Sequence, residues 1–264
     1  MAEDTTALEH AKKDEHRSDQ TTISEYLESL LVTVLLALFG TSFVVQAFKI
    51  PSASMESTLL IGDHLLVNKF IIGGRGAWYE RFLPYRSLER GDIIVFKYPY
   101  KDHQHFVKRV IGLPGDHLKL VDQQVYVNGK RLNEPYAAHD PSAPYDPLNY
   151  NFPPHGVQMF SSPDQVEWAH EIKKHVVAGE IVVPRGKYFA MGDNRDRSWD
   201  SRDWGFVDAD AIMGRPFLIY WSVDATSADY SNESTFWTRL SGVIDTLMHL
   251  PARTRWSRML HTVH

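Results

Sequence analysis

The chain has 264 residues, a formal net charge of −5, 43% hydrophobic and 23% charged residues, and no cysteine. This composition excludes a disordered or collagen-like chain, and the missing cysteine excludes disulfides, cysteine nucleophiles, thiolate zinc sites and iron–sulfur clusters. The acidic balance gives no global basic field for nucleic acid, and a mean hydropathy of −0.32 excludes a polytopic membrane protein but not a single span.

Residues 1–28 form a polar tail, and residues 1–22, without a helical stripe, are expected to be disordered. Residues 29–48 contain no charge and are dominated by Leu, Val and Phe. About 20 helical residues span about 30 Å, the thickness of a bilayer core. Three readings compete: a buried soluble helix, a cleaved signal peptide ending near Val45-Gln46-Ala47, and a retained transmembrane anchor. The run is long for the apolar region of a signal peptide, and the stretch before it is long and acid-rich, which favours the anchor. Lys12, Lys13 and Arg17 precede it and only Lys49 follows closely, so the N-terminus is expected in the cytoplasm and the rest outside.

Beyond the span, residues 49–221 read as one β domain. Strands are expected at 64–67, 92–96, 106–111, 117–121, 124–127, 180–183, 188–191 and 216–221. Asn128-Gly129 predicts a tight hairpin after the fifth of these. Residues 134–180 read as a loop-rich insertion, with a short helix within 163–177. Residues 222–264 are expected to form an amphipathic C-terminal segment that is basic after Asp245. From Phe236 its apolar residues recur at helical spacing, and Arg253, Arg255 and Arg258 follow with Trp256 between them. That pattern suits either packing on the β domain or an amphipathic helix whose arginines meet anionic headgroups.

Three segments carry chemistry. The first, directly after the span, is Ile50-Pro51-Ser52-Ala53-Ser54-Met55-Glu56-Ser57-Thr58-Leu59; on composition alone it is a linker. The second places Lys108 on the face of a strand with Phe106 and Val110. Such a lysine either snorkels to the surface or is desolvated, which lowers its pKa. Moving it from about 10.4 to about 8 takes roughly 3 kcal/mol, and the neutral amine is then a general base for a serine hydroxyl. The third, residues 193–203, packs four acids and three arginines into eleven positions. It is either a solvated turn or a buried cluster whose charges pair with one another.

Taken together, residues 50–70, 90–99, 106–116 and 192–207 resemble the bacterial type I signal peptidases, membrane-bound serine proteases of the Ser/Lys type, in order and in spacing from the anchor. The resemblance implies a mainly β catalytic domain on one N-terminal transmembrane helix, and no cofactor or metal. It implies Ser54 as nucleophile and Lys108 as general base, with the Ser52 hydroxyl and the Ser54 N–H forming the oxyanion hole. Ser198 falls where the family orients the lysine amine, Asp200 and Arg202 where it keeps a supporting ion pair, and Asp193 and Arg195 on further motif positions. Ile50, Met55, Leu59, Phe106 and Val107 fall where the family builds small apolar substrate pockets. The implied partners are secreted preproteins and the phospholipid membrane near the secretion translocon; the implied place is the outer face of the bacterial cytoplasmic membrane. Two positions depart from the pattern: Ala53 replaces a glycine, and Ser57 replaces a proline, a change expected to loosen the turn.

Among rivals, a Ser-His-Asp hydrolase lacks a G-x-S-x-G elbow, and a Ser-x-x-Lys enzyme lacks that sequence. His103 and His105 have no third metal ligand at a recognisable spacing. A membrane-tethered, non-catalytic β scaffold is the remaining alternative.

Overall fold

A computed structural model describes residues 24–40, 44–69, 86–100, 104–154, 162–227 and 252–263. The chain divides into two units, residues 1–45 and 46–264. In the first, residues 24–39 form helix α1. Leu30, Leu31, Leu35, Leu36 and Phe39 on it are all more than half exposed. At about 1.5 Å per residue its length is about 24 Å. No helix among the described residues is long and apolar enough to cross a membrane. The expectation of one helix through residue 48 is corrected at its C-terminal end, because strand β1 already occupies Val45–Lys49. Hydropathy alone does not distinguish the end of an apolar helix from an apolar strand, and the β-branched pair Val44-Val45 favours extended backbone.

The second unit is built on two sheets. The larger has eight strands, and its path runs β1, β2 (Asp63–Asn68), β12 (Ile212–Ser222), β3 (Ile93–Lys97), β4 (His105–Gly112), β10 (Lys187–Met191) and β11 (Val207–Asp208), with β13 (His261–Thr262) added on β12. The smaller has the order β7 (Lys130–Arg131), β6 (Gln124–Val127), β5 (His117–Val121), β9 (Glu180–Val182) and β8 (Val176–Val177). The expected strands all appear. The Asn-Gly hairpin does too: Asn128 and Gly129 have φ of 52° and 74°, the left-handed pair that a tight turn between twisted strands needs.

Alternation along β4 sends its side chains to different cores. Val107 packs with Ile50, Met55, Leu65, Val67, Ile93 and Val95, while Phe106 and Val110 join Ile94, Phe96, Tyr98 and Trp204. A third core lies between the smaller sheet and the insertion, around Leu118, Ile181, Phe152, Trp168 and Phe189. The insertion is more ordered than its composition suggests. It contains α2 (Pro147–Tyr150) and α3 (Pro163–Ile172), the latter opened by Ser162, whose hydroxyl accepts from Gln165 N. Its backbone also meets the charged segment: Ala138 N donates to Asp193 O at 2.8 Å, and Arg195 N donates to Ala138 O at 2.9 Å.

The last described residues of the C-terminal segment lie against the β domain. Arg255 pairs with Asp224 at 2.7 Å and Arg258 with Asp63 at 2.6 Å, while β13 extends β12. These two arginines are tied to the β domain, Arg258 to a fully buried carboxylate and Arg255 to an exposed one. The apolar repeat between residues 236 and 248 lies outside the described residues, as do residues 1–23 and His103.

Candidate active site

Ser54 sits at the middle of a single helical turn, Ala53–Met55, entered from extended backbone at Ser52 (φ −136°, ψ 157°). Two anchors hold the turn. Buried Met55 fastens it to the core beneath, and the segment after β10 clamps it from the side. There Asn194 N donates to Ser54 O and Asn194 Nδ2 to Ala53 O, both at 3.2 Å. Ala53 is compatible with this shape because it does not adopt positive φ.

Lys108 enters from β4, opposite Ile94 of β3. Its Nζ lies 2.6 Å from Ser54 Oγ. The side chain is only 3% exposed, and burial pushes the amine down to about 8, with Asp200 pulling it back up and Arg202 pushing it down. Desolvation is the larger effect, so at pH 8 about half of the amines carry a lone pair able to accept the serine proton.

The charged segment is a buried network rather than a solvated turn. Arg202 grips Asp200 with two bonds, Nε to Oδ1 at 2.9 Å and Nη2 to Oδ2 at 2.8 Å. Its remaining donors reach Asn149 Oδ1 at 2.5 Å and Arg195 O at 2.7 Å. Asp200 also accepts from Gly192 N at 3.0 Å. Burial would push its carboxyl up, but Arg202 beside it holds it below the usual range. For Asp203 burial wins: it pushes the carboxyl up to about 7, Asp200 adding to the effect and Arg202 opposing it. It accepts from Asp200 N at 3.1 Å and from Gln165 Nε2 at 2.9 Å.

Asp193 and Arg195 do not pair with each other. Asp193 takes two bonds from Arg109, at 2.8 and 2.7 Å, and one from Thr58 Oγ1 at 2.6 Å. Arg195 forks onto Glu134 at 3.1 and 2.6 Å and reaches Gly192 O at 3.1 Å. Arg109 stacks on the Tyr136 ring at 4.0 Å. Sequence reasoning missed Arg109, Glu134, Thr58, Tyr136 and Asn149. Arg109 was within reach as the neighbour of Lys108 on a strand, but nothing local marks Glu134 or Asn149. Ser198 is half-buried, with its Oγ and the Ser54 carbonyl both beside Gly192, and that buried Oγ has no hydrogen-bond partner, Lys108 included.

Ser52, Ser54 and Lys108 line a cavity of about 690 Å³, and Ile50, Met55, Phe106 and Val107 lie on its walls. Leu59 does not. It is fully buried beneath Met55 in the core of the larger sheet, because the backbone turns inward after the nucleophile and Leu59 N donates to Met55 O at 2.8 Å. Phe48, His105 and Trp199 are also among the lining residues and were not anticipated. Ser57 also departs from expectation. Its φ is 103°, which proline cannot adopt, and its Oγ donates to Tyr136 O at 2.6 Å. The turn is tied down by this contact rather than loosened by the missing proline.

A strand-borne buried lysine against a serine on a tight turn, in a mainly β domain, is the arrangement of a serine-type hydrolase. The family model for signal peptidase, peptidase S26, matches residues 23–221. A signal peptidase I from Pseudomonas fluorescens is 34% identical over 216 residues, covering 75% of this chain and 72% of that protein. A probable signal peptidase I-2 from Synechocystis is 34% identical over 220 residues, covering 81% and 80%. A solved signal peptidase I from Enterococcus faecalis is 32% identical, covering 49% of this chain and 97% of that one, with a TM-score of 0.33. The chain belongs to the signal peptidase family, peptidase S26, and is a serine-type endopeptidase. The non-catalytic scaffold is thereby set aside.

Proposed function

We propose that this enzyme removes N-terminal signal peptides from secreted preproteins, cutting after small residues by way of a Ser54–Lys108 dyad. The observation that carries the reading is the 2.6 Å approach of Lys108 Nζ to Ser54 Oγ, at the edge of a cavity that both line. Neutral Lys108 takes the Ser54 proton, and the oxygen attacks the carbonyl carbon of a substrate bound as an extended strand. The Ser52 hydroxyl and Ser54 N–H stabilise the oxyanion, where one donor is worth about 3–4 kcal/mol in a serine protease. The lysine ammonium returns its proton to the leaving amine as the C–N bond breaks. Water, deprotonated by Lys108, then releases the acyl group and restores Ser54. Ser198, half-buried near Ser54, orients the lysine amine in this reading, and the Asp200–Arg202 pair supports the surrounding backbone. Ile50, Met55, Phe106 and Val107 favour small apolar side chains by their bulk.

The exposed leucines of α1 and the cations Lys12, Lys13 and Arg17 before it support an N-terminal anchor. In this reading the tail is cytoplasmic and the β domain lies on the outer face of the bacterial cytoplasmic membrane, near the emerging preprotein. The test is to incubate wild type and Ser54→Ala with a preprotein in detergent. Wild type should yield the shortened product and Ser54→Ala none; equal cleavage by both overturns the mechanism.

A further inference from the structure

One wall of the cavity has a mechanical feature that the dyad does not use. Trp199 lines the cavity next to Lys108 and Arg197, and both ends of the residue are fixed. Its backbone lies between Ser198 and Asp200, and Asp200 is locked to Arg202. At the far end of the indole, Trp199 Nε1 donates to Tyr98 Oη at 3.2 Å, and Tyr98 Oη donates to Asp164 Oδ2 at 2.6 Å. Asp164 stands in the first turn of α3. The Tyr98 ring stacks on Phe106, another cavity wall, at 4.5 Å and 26°, and meets Trp204 edge-on at 5.8 Å. Burial and Asp164 both push the Tyr98 phenol up, so it stays a proton donor at any physiological pH.

A tryptophan free to swing would yield to a larger substrate side chain. One hydrogen-bonded at its tip and fixed at its root does not, because moving it takes the indole N–H from an acceptor that Asp164 holds in place. We propose that Trp199, braced by Tyr98 and Asp164, is a specificity-determining residue that sets the largest substrate side chain the cavity admits. Tyr98 and Asp164 are positioning residues that act through it. This rests on the proposed peptide-cleaving function and adds, beside the bulk of Ile50, Met55, Phe106 and Val107, the braced wall that cannot yield.

The experiment measures kcat/KM on peptides carrying Ala, Val, Leu or Phe at the residue before the scissile bond and at each of the two positions preceding it. Trp199→Ala should raise the Leu-to-Ala or Phe-to-Ala ratio at one of these positions by about tenfold or more, the scale on which a few methylenes are discriminated in an apolar pocket. Tyr98→Phe keeps the stacked ring but removes both hydrogen bonds, and should move the same ratio in the same direction by about threefold. Should Trp199→Ala fail to melt cooperatively, Trp199→Phe and Tyr98→Phe decide the matter through the same ratio. Ratios that stay at the wild-type value while all rates fall together mean a merely structural role and overturn the proposal. A wild type that cleaves no peptide, like Ser54→Ala, overturns the functional reading and this inference with it.

Discussion

Gly192 is the position where a single methyl group tests the geometry of the site most directly. It follows β10, donates its N–H to Asp200 Oδ2 at 3.0 Å and accepts from Arg195 Nε at 3.1 Å. A Cβ added there would stand 2.6 Å from Ser198 Cβ, and nearer still to Ser198 Oγ and the backbone carbonyl oxygen of Ser54. Carbon atoms rest at about 3.5–4.0 Å, so Ser198 and the Ser54 backbone would have to withdraw by about 1 Å. The serine cannot rotate out of this contact, because the atom struck is its own main chain. A misplacement of about 1 Å costs on the order of 100-fold in rate, or about 2.7 kcal/mol of barrier. Gly192→Ala should therefore lose about 100-fold in kcat/KM on a preprotein-derived peptide, measured per folded molecule. Gly214→Ala is the matched control. There the added Cβ would lie 2.6 Å from Val67 Cγ1 and nearer still to the backbone oxygen of Asn68, within the larger sheet and away from Ser54. It should cost about 1–3 kcal/mol of stability, as overpacking does, yet keep kcat/KM per folded molecule within about threefold. A folded Gly192→Ala enzyme within about threefold of wild type would refute the assignment of Ser54 as nucleophile in this geometry.

Three further outcomes follow from the same contacts. Lys108 is held near 8 against 10.5 unfolded, so its burial costs about 3 kcal/mol while it is charged, and the cost is relieved as pH rises from about 8 to about 10.5. Wild-type thermal stability should rise over that interval relative to Lys108→Met, while wild-type kcat/KM falls about tenfold per unit below pH 8; a flat rate profile between pH 6 and 8 removes lysine as the base. Ser57→Pro should destabilise by about 3 kcal/mol or more in urea unfolding, since φ 103° is closed to proline, whereas Ser57→Gly keeps the backbone and should cost about 1 kcal/mol for the lost bond to Tyr136 O. Asp200→Asn leaves Arg202 buried without its counter-charge and should cost about 3–5 kcal/mol, read as a lowered denaturation midpoint; an unchanged midpoint would mean the pair is not load-sharing in the fold.

Local pattern was enough for the strands of the β domain and for the Asn128-Gly129 hairpin, whereas Ser54 and Lys108 were singled out only by the family resemblance, the segment around Ser54 reading locally as a linker. The strands and the hairpin depend on interactions within a few residues: side-chain alternation and a left-handed pair at a turn. The same local view failed at the end of the apolar run, where Val45–Lys49 becomes a strand, and at Leu59, which is apolar as a pocket residue should be but faces the core. In both cases hydrophobicity states that a residue avoids water without stating which apolar surroundings receive it. Partners were beyond local pattern altogether. Asp193 closes on Arg109 across 84 residues of sequence and Arg195 on Glu134 across 61, because a buried charge must find its counter-charge wherever the fold brings one within reach. The tie from Trp199 to Tyr98, 101 residues away, is of the same kind. Residue identity supplied the reactive groups; only the packing of β1, the Ser54 turn, the start of β4 and the 197–199 segment around one cavity decided which of them meet, which are desolvated, and how much room is left beside Ser54.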